Sequence, residues 1–362
     1  MPPTVLDRQQ QIQLARQRGL QLGTVEHTLG MDAWLVESWA RCLAWGHQPD
    51  DRVAFEPVHA GEANARTDLN QPLIQAARPV ISRLLDTISD TRYFAVLTDS
   101  EGIVIDAHGP SINHDRRARD IARVGVNLSE QAVGTTAISG ALRERKSVWL
   151  HQGEHYFERN TVYSCAGAPL IGPSGHCLGM LDLTGVEVQE RPELRHLVAR
   201  AARQIENAMA LNMPHQLMVR LNWPGESLGH EGDGLLALDA DGVLLAANGI
   251  ARELLGHALE GPAGQLHARD VLAVPYEYLF DLAAAGGDHT VPTGNGLHLS
   301  VRCIRPGGAR AGGTNRTPLR QIEDTMIRQA VQEAKGNVSL AAQRLGIGRA
   351  TVYRRLQASN KT

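Results

Sequence analysis

Near the carboxyl end of this 362-residue chain, Arg349, Thr351, Tyr353, Arg354 and Arg355 are crowded together, and from Val338 onward basic residues stand without one acidic neighbour. In a chain whose formal net charge is -3, that local imbalance marks a surface for a polyanion. A second group, Trp149, His151, His155, Tyr156, Phe157 and Tyr163, with Cys165 at the start of a predicted strand, has the mix of aromatic and polar side chains that binds small molecules. It either lines an effector pocket or fills core and loop. His151 and His155 have a metal-ligand spacing for a helix, but Gly153 lies between them and no HExxH glutamate follows, so no metal is expected. Cys165 is either a redox sensor or an inert buried thiol. No nucleophile, base and oxyanion donor can be assembled, so neither an enzyme nor a cofactor is expected.

The elements that position these residues can be read from spacing. Leu340, Ala341 and Leu345 share one helical face, Gly346 stops that helix, and Val352 with Leu356 starts a second stripe. Residues 337–356 therefore read as a helix-turn-helix. Asn337 suits the N-cap, Ser339 sits in the turn that follows, and Ile347 can plug the angle between the helices. With Val352 and Leu356 inward, Arg354 points away from the core while Arg349, Thr351, Tyr353 and Arg355 occupy the flanks.

Upstream, the first seventy or so residues read as helices. Asp32 is placed to cap a segment with Trp34, Leu35, Trp39, Cys42 and Leu43 on one side, a packing face that Gly46 and Pro49 close. A further helix runs to Asp90 with Ile81, Leu84, Leu85 and Ile88 in register, and Pro79 limits its upstream extent. Three hairpins follow, each an apolar run, a Gly-containing turn and a second run, with turns at 99–102, 172–175 and 239–242. Helices lie between them, so antiparallel sheets with helices are expected. Leu194, Leu197, Val198, Ala201, Ile205, Ala208 and Met209 mark a linking helix with Pro192 at its start, and the Gly- and Pro-rich text after Arg305 reads as a flexible tether.

The text Gly336, Asn337, Ala341, Ala342, Leu345, Gly346, Ile347, Arg349 and Thr351 resembles the DNA-binding end of the factor for inversion stimulation (Fis) and of sigma-54-dependent activators. That resemblance implies a dimer formed by the preceding helix, with Leu319, Ile322, Met326, Ile327, Ala330 and Val331. It also implies that Asn337 and Ser339 touch phosphates while Arg349, Thr351, Tyr353 and Arg354 face the major groove, with Arg355 beside them. Arginine is the residue best shaped to grip guanine, so Arg349 is the first choice for base reading. Residues 125–138, 153–157 and 163–170, with Ser38-Trp39-Ala40-Arg41 upstream, resemble the GAF sensor of acetoin-catabolism-type sigma-54 activators, and residues 237–255 resemble the start of a PAS domain.

The expected fold is thus α+β sensor domains, GAF-like and PAS-like antiparallel sheets with helices, plus a C-terminal all-α Fis-type helix-turn-helix. The expected division is an N-terminal helical segment 1–74, a GAF-like domain 75–212, a PAS-like domain 225–304, a linker 305–317 and the DNA-binding domain 318–362. Sigma-54 activators carry an ATPase whose phosphate loop needs G-x4-G-K-[ST], and this sequence contains no Gly-Lys pair. The expected function is a cytoplasmic, homodimeric, effector-responsive transcription regulator without ATPase activity that binds a double-stranded DNA operator. RNA polymerase or a related sigma-54 activator are the further partners this allows, and no membrane partner is expected. The alternative is an interaction module that heterodimerises with, or competes against, a full-length sigma-54 activator.

Overall fold

The architecture is that of a computed structural model describing residues 8–19, 31–261 and 263–306. The helix-turn-helix text, residues 318–362, lies outside the described residues. Among those described, no helix is long and apolar enough to cross a membrane.

Two five-stranded antiparallel sheets form the frame. The first contains β1 (Phe94–Asp99), β2 (Val104–His108), β3 (Val148–His151), β4 (Tyr163–Ile171) and β5 (Cys177–Val186), in the order β2-β1-β5-β4-β3. Strand β1, between β2 and the central β5, is buried along its whole length, because both faces of the sheet are covered. Alternate residues serve the two faces: Phe94 and Val96 enter one core, Ala95 and Leu97 the other. The β1–β2 turn is held by Asp99 Oδ1, which accepts from the backbone N–H of Glu101 (2.9 Å) and of Ile103 (3.0 Å), and Gly102 takes the positive φ of 84° that closes it.

Helices α1 (Arg8–Gly19), α2 (Ala33–Ala44), α3 (Ala60–Leu69) and α4 (Gln71–Thr87) precede the sheet. The apolar stripe of α2 is no separate unit, since Leu35, Trp39 and Cys42 are part of the first core together with Phe94 and Val96 of β1. Asp32 occupies the N-cap of α2, but its side chain makes no capping bond; its backbone carbonyl accepts from Leu35 N–H at 3.0 Å. Pro79 does not limit α4, which passes through it unbroken. Pro79 and Gln75 are both exposed, so water can satisfy the carbonyl that loses its donor.

The second sheet contains β6 (Leu217–Asn222), β7 (Gly234–Leu238), β8 (Leu244–Ala247), β9 (His289–Pro292) and β10 (His298–Ile304), in the order β8-β7-β6-β10-β9. β6 lies upstream of the expected start at residue 225 and yet is the middle strand. Moving the last strand of the first sheet to its beginning reproduces this order, so the two sheets are circular permutations of one layout.

The linking helix Leu194–Asn212 joins them. Leu194, Val198, Ala201 and Ile205 belong to the first sheet's core, whereas Ala210 packs with Met218, Leu235, Ala237 and Ala246 of the second. Between these ends Glu206 accepts from Ile171 N–H at 2.8 Å, and Asn207 Oδ1 accepts from Asn248 Nδ2 at 2.7 Å. One rigid rod thus carries hydrogen bonds to both sheets.

Candidate functional site

One face of the first sheet lies beneath residues 125–138, and between them is a cavity of about 30 Å³. Its floor is Val96 of β1, Tyr163 and Cys165 of β4, and Asp182 and Thr184 of β5; its roof includes Val133, Thr136, Ala137 and Ile138. Pairing fixes the floor, because Val96 sits opposite Asp182 and Cys165 opposite Thr184.

The roof is fastened by side chains of α2 and by its own turn and cap. Arg41 donates to Glu130 through Nε (2.8 Å) and Nη2 (2.7 Å), and the Ser38 hydroxyl bonds both Glu130 and Thr135. Gly134 turns the chain at a φ of 70°, where a Cβ would stand 2.8 Å from the Phe157 ring. Thr136 then caps the helix Ala137–Glu144 by accepting from Ser139 N–H at 3.2 Å. The loop that carries His155 is tied down by Trp39, whose indole donates to the Glu154 carbonyl at 2.9 Å, and by Arg16, which donates to the carbonyls of Gly153 (2.9 Å) and Tyr156 (3.0 Å).

Polar contacts run through the floor in a chain. Thr184 is hydrogen-bonded to Asp182, the Cys165 sulfur lies 3.5 Å from the Thr184 hydroxyl and 3.6 Å from His155 Nε2, and His155 Nδ1 lies 3.0 Å from the Gln152 carbonyl. A carbonyl only accepts, so Nδ1 carries the proton and Nε2 accepts from the thiol. Burial pushes the Asp182 carboxyl up to about 7 and pulls the His155 imidazole down to about 4. Burial also raises the Cys165 thiol well above its ordinary value, which keeps it protonated and unreactive rather than poised for redox sensing.

Two buried side-chain oxygens in this wall have no hydrogen-bond partner within the protein: Asp182 Oδ1 and Asn160 Oδ1. Asp182 is 0% exposed and Asn160 2%.

Of the seven residues grouped for an effector, His155, Tyr163 and Cys165 line this cavity and Trp149, His151, Tyr156 and Phe157 do not. β3 alternates: Val148 and Leu150 enter the core on the cavity side, whereas Trp149 belongs to the opposite core and His151 stacks on it at 6.2 Å and 9°. Trp149 borders an open groove of about 640 Å³ with Ile12, Glu154 and His196, and His151 is bound to Ser164 at 2.7 Å. His151 bonds Ser164 and His155 lies against Cys165, successive residues of β4 that point to opposite faces, and among the described residues no group of three or more His, Cys, Asp or Glu is placed to hold a metal ion. Sequence reasoning missed Asp182, Thr184 and Asn160. The available signal was the lone acidic residue inside the apolar run of β5, since a buried carboxylate is rare without a purpose. Asn337, Ser339, Arg349, Thr351, Tyr353, Arg354 and Arg355 lie outside the described residues.

The family model of the MimR N-terminal domain matches residues 9–207, which contain the whole cavity and more than half the chain. The chain belongs to this family. A second model, the bacterial regulatory protein Fis family, matches residues 318–358. The acetoin catabolism regulatory protein of Cupriavidus necator is 26% identical over 287 residues, which cover 76% of this chain and 42% of that protein. The propane 2-monooxygenase operon transcriptional activator MimR of Mycolicibacterium smegmatis is 29% identical over 236 residues, 64% of this chain and 39% of that one. The chain thus spans less than half the length of either relative. Among solved structures, the E. coli DhaR(N)–DhaL complex aligns with a TM-score of 0.46 and 14% identity, covering 76% of this chain and 100% of that chain.

Proposed function

We propose that the chain is a cytoplasmic, effector-responsive transcription regulator that binds an operator as a homodimer. The observation that carries this reading is a small cavity with two unpartnered buried side-chain oxygens in its wall, built in the family-matched region of a chain whose residues 318–358 match Fis-family regulatory proteins. DNA contact falls to Arg349, Thr351, Tyr353 and Arg354 in the groove, with Arg355 beside them, and to Asn337 and Ser339 on phosphates. The effector sits in the cavity above His155, Tyr163 and Cys165. GAF-like and PAS-like roles suit the two sheets, and the linking helix, hydrogen-bonded to both, is the element whose position an effector would bias. Coupling of this kind is typically ~1–3 kcal/mol.

Relatives named as transcriptional activators support regulation, and the absence of any Gly-Lys pair in the sequence argues that this chain does not use a phosphate loop of the sigma-54 type. The same observation favours a second reading, in which the chain pairs with or competes against a full-length sigma-54 activator. A mobility-shift assay with the purified chain decides between them. Tight, effector-sensitive binding of its own upstream DNA supports the first, and binding only when a full-length relative is added supports the second.

A further inference from the structure

We infer that the seam between the two sheets is a latch, which the Glu206 carboxyl keeps shut while it carries a proton and loosens when it gives that proton up.

The bonds across the seam are polar. The turn 172–175, which joins β4 to β5, meets the segment that leads into the helix Gly249–Leu255, and there the Pro173 carbonyl accepts from Ala247 N–H and from Arg252 Nη2, each at 3.0 Å. Glu206 closes the same seam from the linking helix. Its Oε1 accepts the Ile171 N–H of the first sheet at 2.8 Å. Its Oε2 lies against Gly249, where a Cβ would stand 2.8 Å away, and the Gly249 backbone donates to the carboxyl. One side chain, 7% exposed, thus receives backbone N–H groups from both sides of the seam.

No cation bonds this carboxyl. Arg252 commits Nη1 to the Leu259 carbonyl at 3.2 Å and Nη2 to Pro173, and its buried Nε has no partner. Of the other charged groups around it, Arg203 on its own helix favours the ionised form and Glu253 on the facing helix opposes it. Cys177 of β5, which also feels Glu206, is a thiol that burial keeps neutral. A charge on Glu206 is therefore desolvated without an ion-pair partner, a cost that admitting water relieves. Burial accordingly pushes the carboxyl up to about 7, against the pull of the Ile171 and Gly249 N–H groups. Once the proton leaves, parting the turn 172–175 from Ala247 and Arg252 hydrates the carboxylate. The adjacent bond from Asn248 to Asn207 joins two uncharged amides, so the linking helix stays on the second sheet while the first sheet's turn is released.

Linkage sets the size of the effect. A carboxyl at about 7 in the shut seam and at its ordinary value in the open one makes opening about tenfold more favourable between about pH 6 and about pH 8. The test is hydrogen–deuterium exchange of the full chain at those two values, read by mass spectrometry and corrected for the intrinsic pH dependence of amide exchange. Peptides containing Ile171 and Ala247 should exchange faster than peptides from β1, which report global unfolding, and both should lose about tenfold in protection at the higher pH. Glu206→Gln, which keeps an acceptor for Ile171 and cannot ionise, should abolish that step. Asp182→Asn, which removes the other carboxyl raised to about 7, should leave it intact, and this variant decides the matter should Glu206→Gln fail to fold. Equal protection at both values in the parent overturns the latch. So does a step that survives Glu206→Gln or vanishes with Asp182→Asn, and so does exchange at Ile171 and Ala247 as slow as that of β1.

Discussion

Arg41 and Glu130 are 89 positions apart in the chain and meet through two parallel hydrogen bonds of 2.8 and 2.7 Å. This pair, with Ser38 bound to the same carboxylate, closes the roof of the cavity onto α2. Its exposure is 20% at Arg41 and 11% at Glu130, so solvent screens it only partly. Replacing either residue alone leaves a half-buried charge without its partner. A double-mutant cycle with Arg41→Ala and Glu130→Ala, followed by urea unfolding, should give a coupling of ~1–3 kcal/mol. A coupling near zero would show that the roof is held by its apolar contacts alone.

Asp182 makes stability depend on pH in a stated direction. Its carboxyl is raised from 3.8 to about 7 in the folded chain, so between those values the native state holds a proton that the unfolded state has lost. Stability from this group is complete below about pH 4 and disappears as pH rises toward 7. Glu206, raised from 4.5 to about 7, acts in the same sense, while His155, lowered from 6.5 to about 4, acts in the opposite one. Asp182→Asn removes the first contribution, worth up to about 4 kcal/mol by the size of the shift. The variant should therefore gain on the parent between pH 4.5 and 7.5 in matched urea titrations. Parallel curves would mean that Asp182 is ionised in the native state.

Cys165 should resist thiol reagents. Buried and held protonated, it is expected to stay unmodified in the native chain at neutral pH over a time in which the urea-unfolded chain reacts completely, as followed by peptide mass spectrometry. Native-state labelling as fast as in urea would restore a redox role.

For the DNA-binding end, Arg349→Ala should cost ~1–3 kcal/mol of specific operator affinity, measured by anisotropy at fixed salt. Equal affinity of variant and parent would move base reading to Thr351, Tyr353 or Arg354.

The strands were legible where an apolar run met a glycine turn. β1 with β2 and β7 with β8 appear at the places the Asp-x-x-Gly text marks. β6 was not, because its apolar run is short and broken by Arg220, which is accommodated by its pairing with Asp233 at 2.9 Å. The cavity was half legible. Residue types pointed to β3, β4 and the loop between them, but a one-residue step along a strand changes faces, and only pairing with β5 shows that Cys165 faces the cavity while His151 faces away. Asp182 stood out only as the one acidic residue in the apolar run of β5, and Asn160 was invisible, because what distinguishes it is a missing partner, which sequence does not record.

The permuted order of the second sheet has a mechanical consequence. Because β6 comes first and β10 last and the two are adjacent, Ile304 pairs with Met218, a few residues after the linking helix ends at Asn212. The backbone therefore departs from this sheet at the same rung by which it arrived. A twist at the far tip of that helix reaches the outgoing strand across a single pair of neighbouring chains, with no domain's thickness of soft packing in which to dissipate.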